Sequence, residues 1–151
     1  MCESAGDIVQ ITKAAPKDFD AVYELMCALE NKQLDKKAVR AVYTQNLARP
    51  DVQYLLAVAD GQIVGFASLH IQQLLHHASP IGELQEIIVH TDKQGLRIGT
   101  MLFEAVKALA SENHCTQLEI CCNQSRIDSH EFYRKRGAKN THYKFTLPLG
   151  V

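Results

Sequence analysis

The spacing of apolar positions changes several times along the chain, and each change marks an element. Ile8, Gln10, Ile11 and Lys13 outline a short first strand, closed by Ala14-Ala15-Pro16. Phe19, Val22, Tyr23, Met26 and Leu29 then recur at helical steps and lie along one amphipathic stripe. A second helix is predicted over Asp35 to Leu47, with Val39, Val42 and Tyr43 facing inward and Arg49-Pro50-Asp51 as its stop. Two runs rich in Val, Ile, Leu and aromatics follow, Val52 to Ala59 and Gln62 to about Ile71. Asp60-Gly61 between them is a hairpin signal, because a type I′ turn needs φ > 0 at both positions. Leu74 to Pro80 reads as a loop or strand end. Glu83 to Val89 is a strand whose apolar tail predicts burial on both faces.

Beyond it, His90 to Gly99 reads as loop and Leu96 to Glu112 as a long helix. Ile98, Met101, Leu102, Ala105, Val106 and Leu109 give that helix its stripe. Gln117 to Cys122 is a strand, Asn123 to Asp128 a polar turn, and Ser129 to Lys135 a short helix ended by Arg136-Gly137. Last strand material is expected around His142 to Leu147. Hairpin-linked strands followed by strand–helix–strand units predict an α/β (α+β) architecture, a mixed sheet flanked by helices.

Length and charge narrow the classes. The 151 residues predict one domain over 1–151. With 16 Lys and Arg against 17 Asp and Glu, the formal net charge is −1. Such a chain has no broad field to draw nucleic acid or an anionic membrane, so neither is expected as a partner. Any anionic ligand must be held by a local constellation. No apolar run approaches the ~18 residues needed to span a bilayer. The N-terminal stretch lacks the basic start and apolar run of a signal peptide. Cys2, Cys27, Cys115, Cys121 and Cys122 are odd in number and without CxxC spacing, which predicts reduced thiols in a cytoplasmic protein.

The segment from Ile87 to Thr100 runs strand, loop, helix and carries Gly95 and Gly99. Backbone amides at a helix N-terminus point outward, and the helix dipole adds partial positive charge, so the loop suits a pyrophosphate. The same spacing also fits an ordinary loop. Its context is more specific: Gln94-x-x-x-x-Gly99, after an apolar strand and before an amphipathic helix, resembles the acetyl-CoA pyrophosphate loop of the GNAT superfamily of N-acetyltransferases. That family's pattern is Arg/Gln-x-x-Gly-x-Gly/Ala, and Arg97 stands where the middle glycine is usual. Its amide can still donate, and its guanidinium could pair with a phosphate. Asn123, Ser129, Phe132, Tyr133 and Gly137 match a second family pattern, Asn…Ala/Ser-x-x-Phe-Tyr-x-x-x-Gly.

The resemblance implies a GNAT fold with six to seven strands and about four helices. It implies acetyl-CoA held by Ile87, Ile88, Val89, Gln94, Gly95, Leu96, Arg97, Ile98, Gly99, Thr100, Asn123, Ser129 and Tyr133. It places Tyr133 near the CoA sulfur, where a phenol can act as general acid to the leaving thiolate. An acceptor amine is mostly protonated at neutral pH and needs a base, which points to the carboxylates of Glu83-Leu84-Gln85-Glu86. Strand alternation puts Glu83 and Gln85 on one face and Glu86 on the other unless a bulge intervenes. Glu86 is taken as the base, with Glu83 second.

His70, His76 and His77 lie close in sequence to these carboxylates and could take part in a divalent metal site, although no HxH or HxxxH spacing occurs. Arg126, in the turn before the last helix, could clamp an anionic group bidentately. Cys121-Cys122 reads as packing in a buried strand rather than as a nucleophile.

The stretches Leu75-His76-His77 and Ile81-Gly82-Glu83-Leu84-Gln85-Glu86, with Arg126, Asp128 and His130, are similar to the aminoalkylphosphonate N-acetyltransferases. That resemblance implies acetyl transfer to the primary amine of a small aminoalkylphosphonate, stimulated by a divalent metal. His76, His77, Glu83 and Arg126 become candidates for the substrate side. Family habit adds a homodimer. Two alternatives stay open: another amine acceptor, such as an aminoglycoside or a polyamine, and a module that binds acetyl-CoA without catalysis.

Overall fold

The computed structural model describes residues 8–95 and 97–151. Contacts divide the chain into two compact units, residues 1–121 and 122–151. In the first, β1 (Val9–Lys13), β2 (Val52–Ala59), β3 (Gln62–Leu74), β4 (Ser79–Val89) and β5 (Leu118–Ile120) form one sheet in the order β1-β2-β3-β4-β5. The first four strands pair antiparallel and β5 runs parallel to β4, so the sheet is mixed as expected. Helices α1 (Phe19–Glu30), α2 (Lys36–Leu47) and α3 (Ile98–Glu112) belong to this unit, and α4 (Ile127–Arg134) to the second.

One face of the sheet packs on α1 and α2. Phe19, Val22, Tyr23 and Leu25 of α1 and Tyr43 of α2 share a core with Leu56 of β2 and Phe66 of β3. Val42, expected inward, is exposed; Val39 packs against the core beside buried Tyr43, which donates its hydroxyl hydrogen to the Ala15 carbonyl at 2.6 Å. Asp35 caps α2 by accepting from the Ala38 N–H at 3.0 Å.

The other face packs on α3 through Ile98, Leu102, Val106 and Ala110, all buried. Burial of each large apolar side chain contributes about 1.5–3 kcal/mol relative to exposure. Close approach is possible because Gly65 has no side chain: a Cβ there would sit 3.0 Å from Leu102 Cδ1 and 3.2 Å from the Ile88 carbonyl. Met101, placed on the apolar stripe by the sequence, is exposed.

Asp60 and Gly61 have φ of 50° and 74°, the two positive values a type I′ hairpin requires. The expected loop at Leu74 to Pro80 shrinks to a 3₁₀ turn, Leu75–His77, because β3 and β4 extend to meet it. Expectation fails at three further places. The sheet has five strands among the described residues rather than six to seven. β5 is three residues long. Residues 142–147 carry no strand: they find no ladder partner, and 139–151 are exposed throughout. No helix among the described residues is long and apolar enough to cross a membrane.

Candidate active site

The chemistry of the first unit gathers where β4 bulges. Ala67 pairs with Ile87 but Leu69 pairs with Leu84, so the single residue Ser68 stands opposite both Gln85 and Glu86. This extra residue reverses the alternation along β4. Before the bulge, Glu83 pairs with His70; after it, Ile88 pairs with Phe66. His70, Ser68 and Phe66 lie two residues apart on a regular stretch of β3, and Phe66 belongs to the core beneath α1 and α2. Glu83, Glu86 and Ile88 therefore share that face. A regular strand would have separated the two carboxylates.

Ser68 is the one buried polar side chain among the described residues. Its hydroxyl oxygen accepts the Glu86 backbone N–H at 3.1 Å, and the hydroxyl donates to Glu86 Oε2. One oxygen thus fixes both the bulge and the carboxylate. Tyr54 pairs with Ser68 from the neighbouring strand and takes a hydrogen bond from Asn46 Nδ2 at 2.6 Å. Burial raises the Tyr54 phenol above its ordinary pKa; the Asn46 bond pulls it down and the Glu86 charge pushes it up again. The phenol thus stays neutral beside the carboxylate.

Glu83 has different partners. Its Oε1 accepts from Gln85 Nε2 and from the Cys121 thiol, the latter at 3.0 Å. His77 meets Glu119 of β5 at 3.8 Å. The His76 and His77 rings lie 4.3 Å apart, His76 exposed and His77 half-buried. Among the described residues no group of three His, Cys, Asp or Glu side chains is placed to hold a metal ion.

Beyond the bulge the two edges of β4 differ. β5 pairs only with Gly82, Glu83 and Leu84, and the Cys121 N–H closes on the Leu84 carbonyl at 3.2 Å. On the other edge the His90 N–H reaches the Val64 carbonyl at 2.7 Å. By ladder alternation the Ile87 and Val89 amides then point to the edge that β5 has left, while Ile88 turns toward β3.

The following loop opens with a 3₁₀ turn, Thr91–Lys93, capped by His90 Nδ1 accepting the Asp92 N–H at 3.3 Å. Gln94 Nε2 donates to the Val89 carbonyl at 3.2 Å, tying loop to strand. Gly95 and Arg97 take left-handed backbone, φ 86° and 62°. Leu96 lies outside the described residues. α3 begins at Ile98, two residues later than expected, and its first helical bond of this turn runs from the Met101 N–H to the Arg97 carbonyl at 3.0 Å. The Ile98 and Gly99 amides precede that bond and face out of the helix end. Thr100 lies in the same turn.

The second unit carries the other candidates. Asn123 Oδ1 accepts from the Ser125 N–H at 2.9 Å and from its hydroxyl at 2.8 Å, and the Asn123 carbonyl meets His130 Nε2 at 2.9 Å. Phe132 is half-buried, its ring 3.5 Å beneath the Arg136 guanidinium carbon. Tyr133 is the buried residue of α4. Burial pushes its phenol up to about 12, Cys122 adding to the rise and the Arg126 charge opposing it. Burial likewise raises the Cys122 thiol, against Arg126 and a Ser129 hydrogen bond. The net rise favours the thiol over the thiolate that nucleophilic attack needs.

A strand with an open edge after a bulge, followed by a glycine-bearing loop into a helix, is the geometry of a site for a long ligand with an anionic end. A model of the acetyltransferase (GNAT) family matches residues 19–138. The chain belongs to the acetyltransferase (GNAT) family. This GNAT chain is 37% identical over 147 residues, 97% of itself and 96% of the relative, to an aminoalkylphosphonate N-acetyltransferase of Salmonella typhimurium. It is 24% identical over 111 residues, 72% of each chain, to a glucosamine 6-phosphate N-acetyltransferase of Candida albicans. An aminoglycoside N-acetyltransferase solved in complex with CoA superposes with a TM-score of 0.87 at 18% identity, covering 99% of this chain and 100% of that one.

Ser68 and Tyr54 escaped the sequence reading. The signal for Ser68 was there: it is a lone polar residue inside the apolar run Ile63 to Leu69. A buried hydroxyl must find a partner.

Proposed function

We propose that this chain transfers the acetyl group of acetyl-CoA to the primary amine of a small acceptor, an aminoalkylphosphonate, with both substrates bound together. The observation that carries the reading is the Glu86 carboxylate, fixed by buried Ser68 beside an open strand edge. Glu86, directly or through water, takes the ammonium proton. The amine then forms its bond to the acetyl carbon as the carbon–sulfur bond breaks. The Ile87 and Val89 amides bind the pantetheine arm and meet the charge that develops on the carbonyl oxygen. Gln94 to Thr100 hold the pyrophosphate, with Asn123 and Ser129 on the cofactor side as well.

Tyr133 is the group assigned to the leaving thiolate. A phenol held up to about 12 is a weaker acid than an ordinary thiol, near 8.5. It therefore donates a hydrogen bond to the sulfur as charge develops there, and the second proton that the amine nitrogen gives up ends on the thiolate, releasing CoA as the free thiol. His76, His77, Glu83 and Arg126 face the acceptor in this reading. Two relatives whose names pair an amine with a phosphorus oxyanion support an acceptor of that kind. No step is assigned to a metal. The family match from 19 to 138 crosses both units, which supports one acetyltransferase domain over 1–151. Free thiols at Cys27, Cys115 and Cys122 support a cytoplasmic setting, and a homodimer completes the reading.

The test is thiol release from acetyl-CoA with a panel of aminoalkylphosphonates, polyamines and aminoglycosides, each with and without a chelator. The phosphonates are expected to give the highest kcat/KM. Silence across the panel would remove the enzyme reading, and a preferred polyamine or aminoglycoside would remove the acceptor. Loss of phosphonate activity on chelation would bring the histidines in as metal ligands.

A further inference from the structure

Tyr54, Ser68 and Glu86 stand in one row across β2, β3 and β4, on the face that carries α1 and α2. Ser68, in the middle, is saturated: it donates to Glu86 Oε2 and accepts the Glu86 N–H. The two ends of the row are not. Among the described residues no hydrogen bond reaches Glu86 Oε1. The Tyr54 oxygen accepts the Asn46 amide at 2.6 Å, so its own hydrogen points elsewhere, and among the described residues no acceptor meets it. Packing fixes where that hydroxyl sits. The Tyr54 ring stacks on Tyr43, with centroids 5.6 Å apart and 13° between the planes, and meets Phe66 at 5.2 Å. Tyr54 and Glu86 are both only half-buried, so each keeps access to solvent. Burial raises the Tyr54 phenol above its ordinary value, so it keeps its hydrogen at neutral pH.

Neighbouring strands lie about 4.8 Å apart, which sets the backbones at the two ends of the row ~10 Å apart, the scale of a small molecule. A fixed acceptor at one end and a fixed donor at the other complement a molecule that carries an ammonium group and an oxyanion. The reverse orientation would set the oxyanion against a carboxylate. We propose that Tyr54, aimed by Asn46, donates its hydroxyl hydrogen to a phosphonate oxygen of the acceptor while Glu86 Oε1 takes the ammonium end. Tyr54 is then a specificity-determining residue, and the buried Ser68 between the two ends holds the spacing. The inference deepens the aminoalkylphosphonate reading above and rests on it. The contact lies away from the reacting bond and is made in the ground state as in the transition state, so its loss appears in KM rather than in kcat.

The test compares a short aminoalkylphosphonate with the alkylamine of the same length in the parent, in Tyr54→Phe and in Asn46→Ala, with Tm measured on each. Tyr54→Phe should raise the phosphonate KM about ten-fold or more and lower the phosphonate-to-alkylamine ratio of kcat/KM by the same factor. Asn46→Ala leaves the phenol in place but unaimed, and should give a smaller fall in that ratio. A parent that acetylates the two amines equally would remove the acceptor reading, and this inference with it, before any variant is compared. Where the parent prefers the phosphonate, an unchanged phosphonate KM in Tyr54→Phe, or equal losses on both amines, would overturn the role of Tyr54 alone. If Tyr54→Phe fails to fold, Asn46→Ala carries the test, and an unchanged ratio there would overturn the proposal.

Discussion

Replacing Ser68 with alanine removes one oxygen and two hydrogen bonds from a fully buried position. The Glu86 N–H, 3.1 Å from that oxygen, loses its acceptor, and an unsatisfied buried donor costs about 1–3 kcal/mol. The bond to the Glu86 carboxylate is lost as well. Glu86 is only half-buried, so water replaces part of that second interaction. A net loss of about 2 kcal/mol in stability follows, a fall of about 4–8 °C in Tm at this chain length. The larger effect is on chemistry. A carboxylate free to swing loses the alignment that makes it a base, and kcat should fall about 10- to 100-fold with the KM for acetyl-CoA little changed. Ser68→Cys, which keeps a weak donor, should fall between. Because Ser68 acts through Glu86, adding Ser68→Ala to Glu86→Gln should cost little further kcat. Thiol-release kinetics on the parent and the four variants, with Tm measured on each, decide the matter. A Ser68→Ala enzyme with kcat within two-fold of the parent, or single losses that simply multiply, would refute the reasoning.

Tyr133→Phe should lower kcat about 10- to 100-fold with little change in KM for acetyl-CoA, and an unchanged kcat would remove Tyr133 from the reaction. Arg97 sits at φ 62°, where a side chain costs about 1 kcal/mol. Arg97→Gly should therefore resist urea better than Arg97→Ala by about that amount, while equal acetyl-CoA KM values in the two would show the guanidinium to be their shared loss. Burial holds the Tyr43 and Tyr133 phenols up to about 12, whereas unfolded tyrosine ionises near 10. The folded state keeps those protons longer. Stability should then be full below about pH 10 and fall as pH rises toward 12, and Tyr43→Phe should make that fall shallower in urea titrations.

What the sequence shows and hides follows from the range of each interaction. Short-range chemistry is legible: Asp60-Gly61 demands its turn, Asp35 caps α2, and the stripe on α3 declares its buried face. The loop from Gln94 to Gly99 is legible for the same reason, since amides, glycines and a helix start are all local. Arg97 shows why its position is usually glycine, because the backbone there is left-handed. Long-range pairing is not legible. Whether Glu83 and Glu86 share a face depends on one extra residue in β4, and that bulge is set by a serine eighteen positions earlier on another strand. Ser68, Tyr54 and Asn46 matter through partners that pairing alone brings near. The tail from 142 to 147 has the alternation of a strand, yet it carries none.

The central claim is that one chain joins acetyl transfer to a phosphonate-bearing amine. The most direct measurement compares kcat/KM for a short aminoalkylphosphonate with that for the alkylamine of the same length lacking the phosphonate, followed by mass detection of the N-acetyl product. A phosphonate contact with a charged group such as Arg126 is expected to contribute about 1.5–3 kcal/mol, so the phosphonate acceptor should lead by ten-fold or more and gain one acetyl group on nitrogen. Equal rates for the two amines, or thiol release without an acetylated amine, would contradict the account.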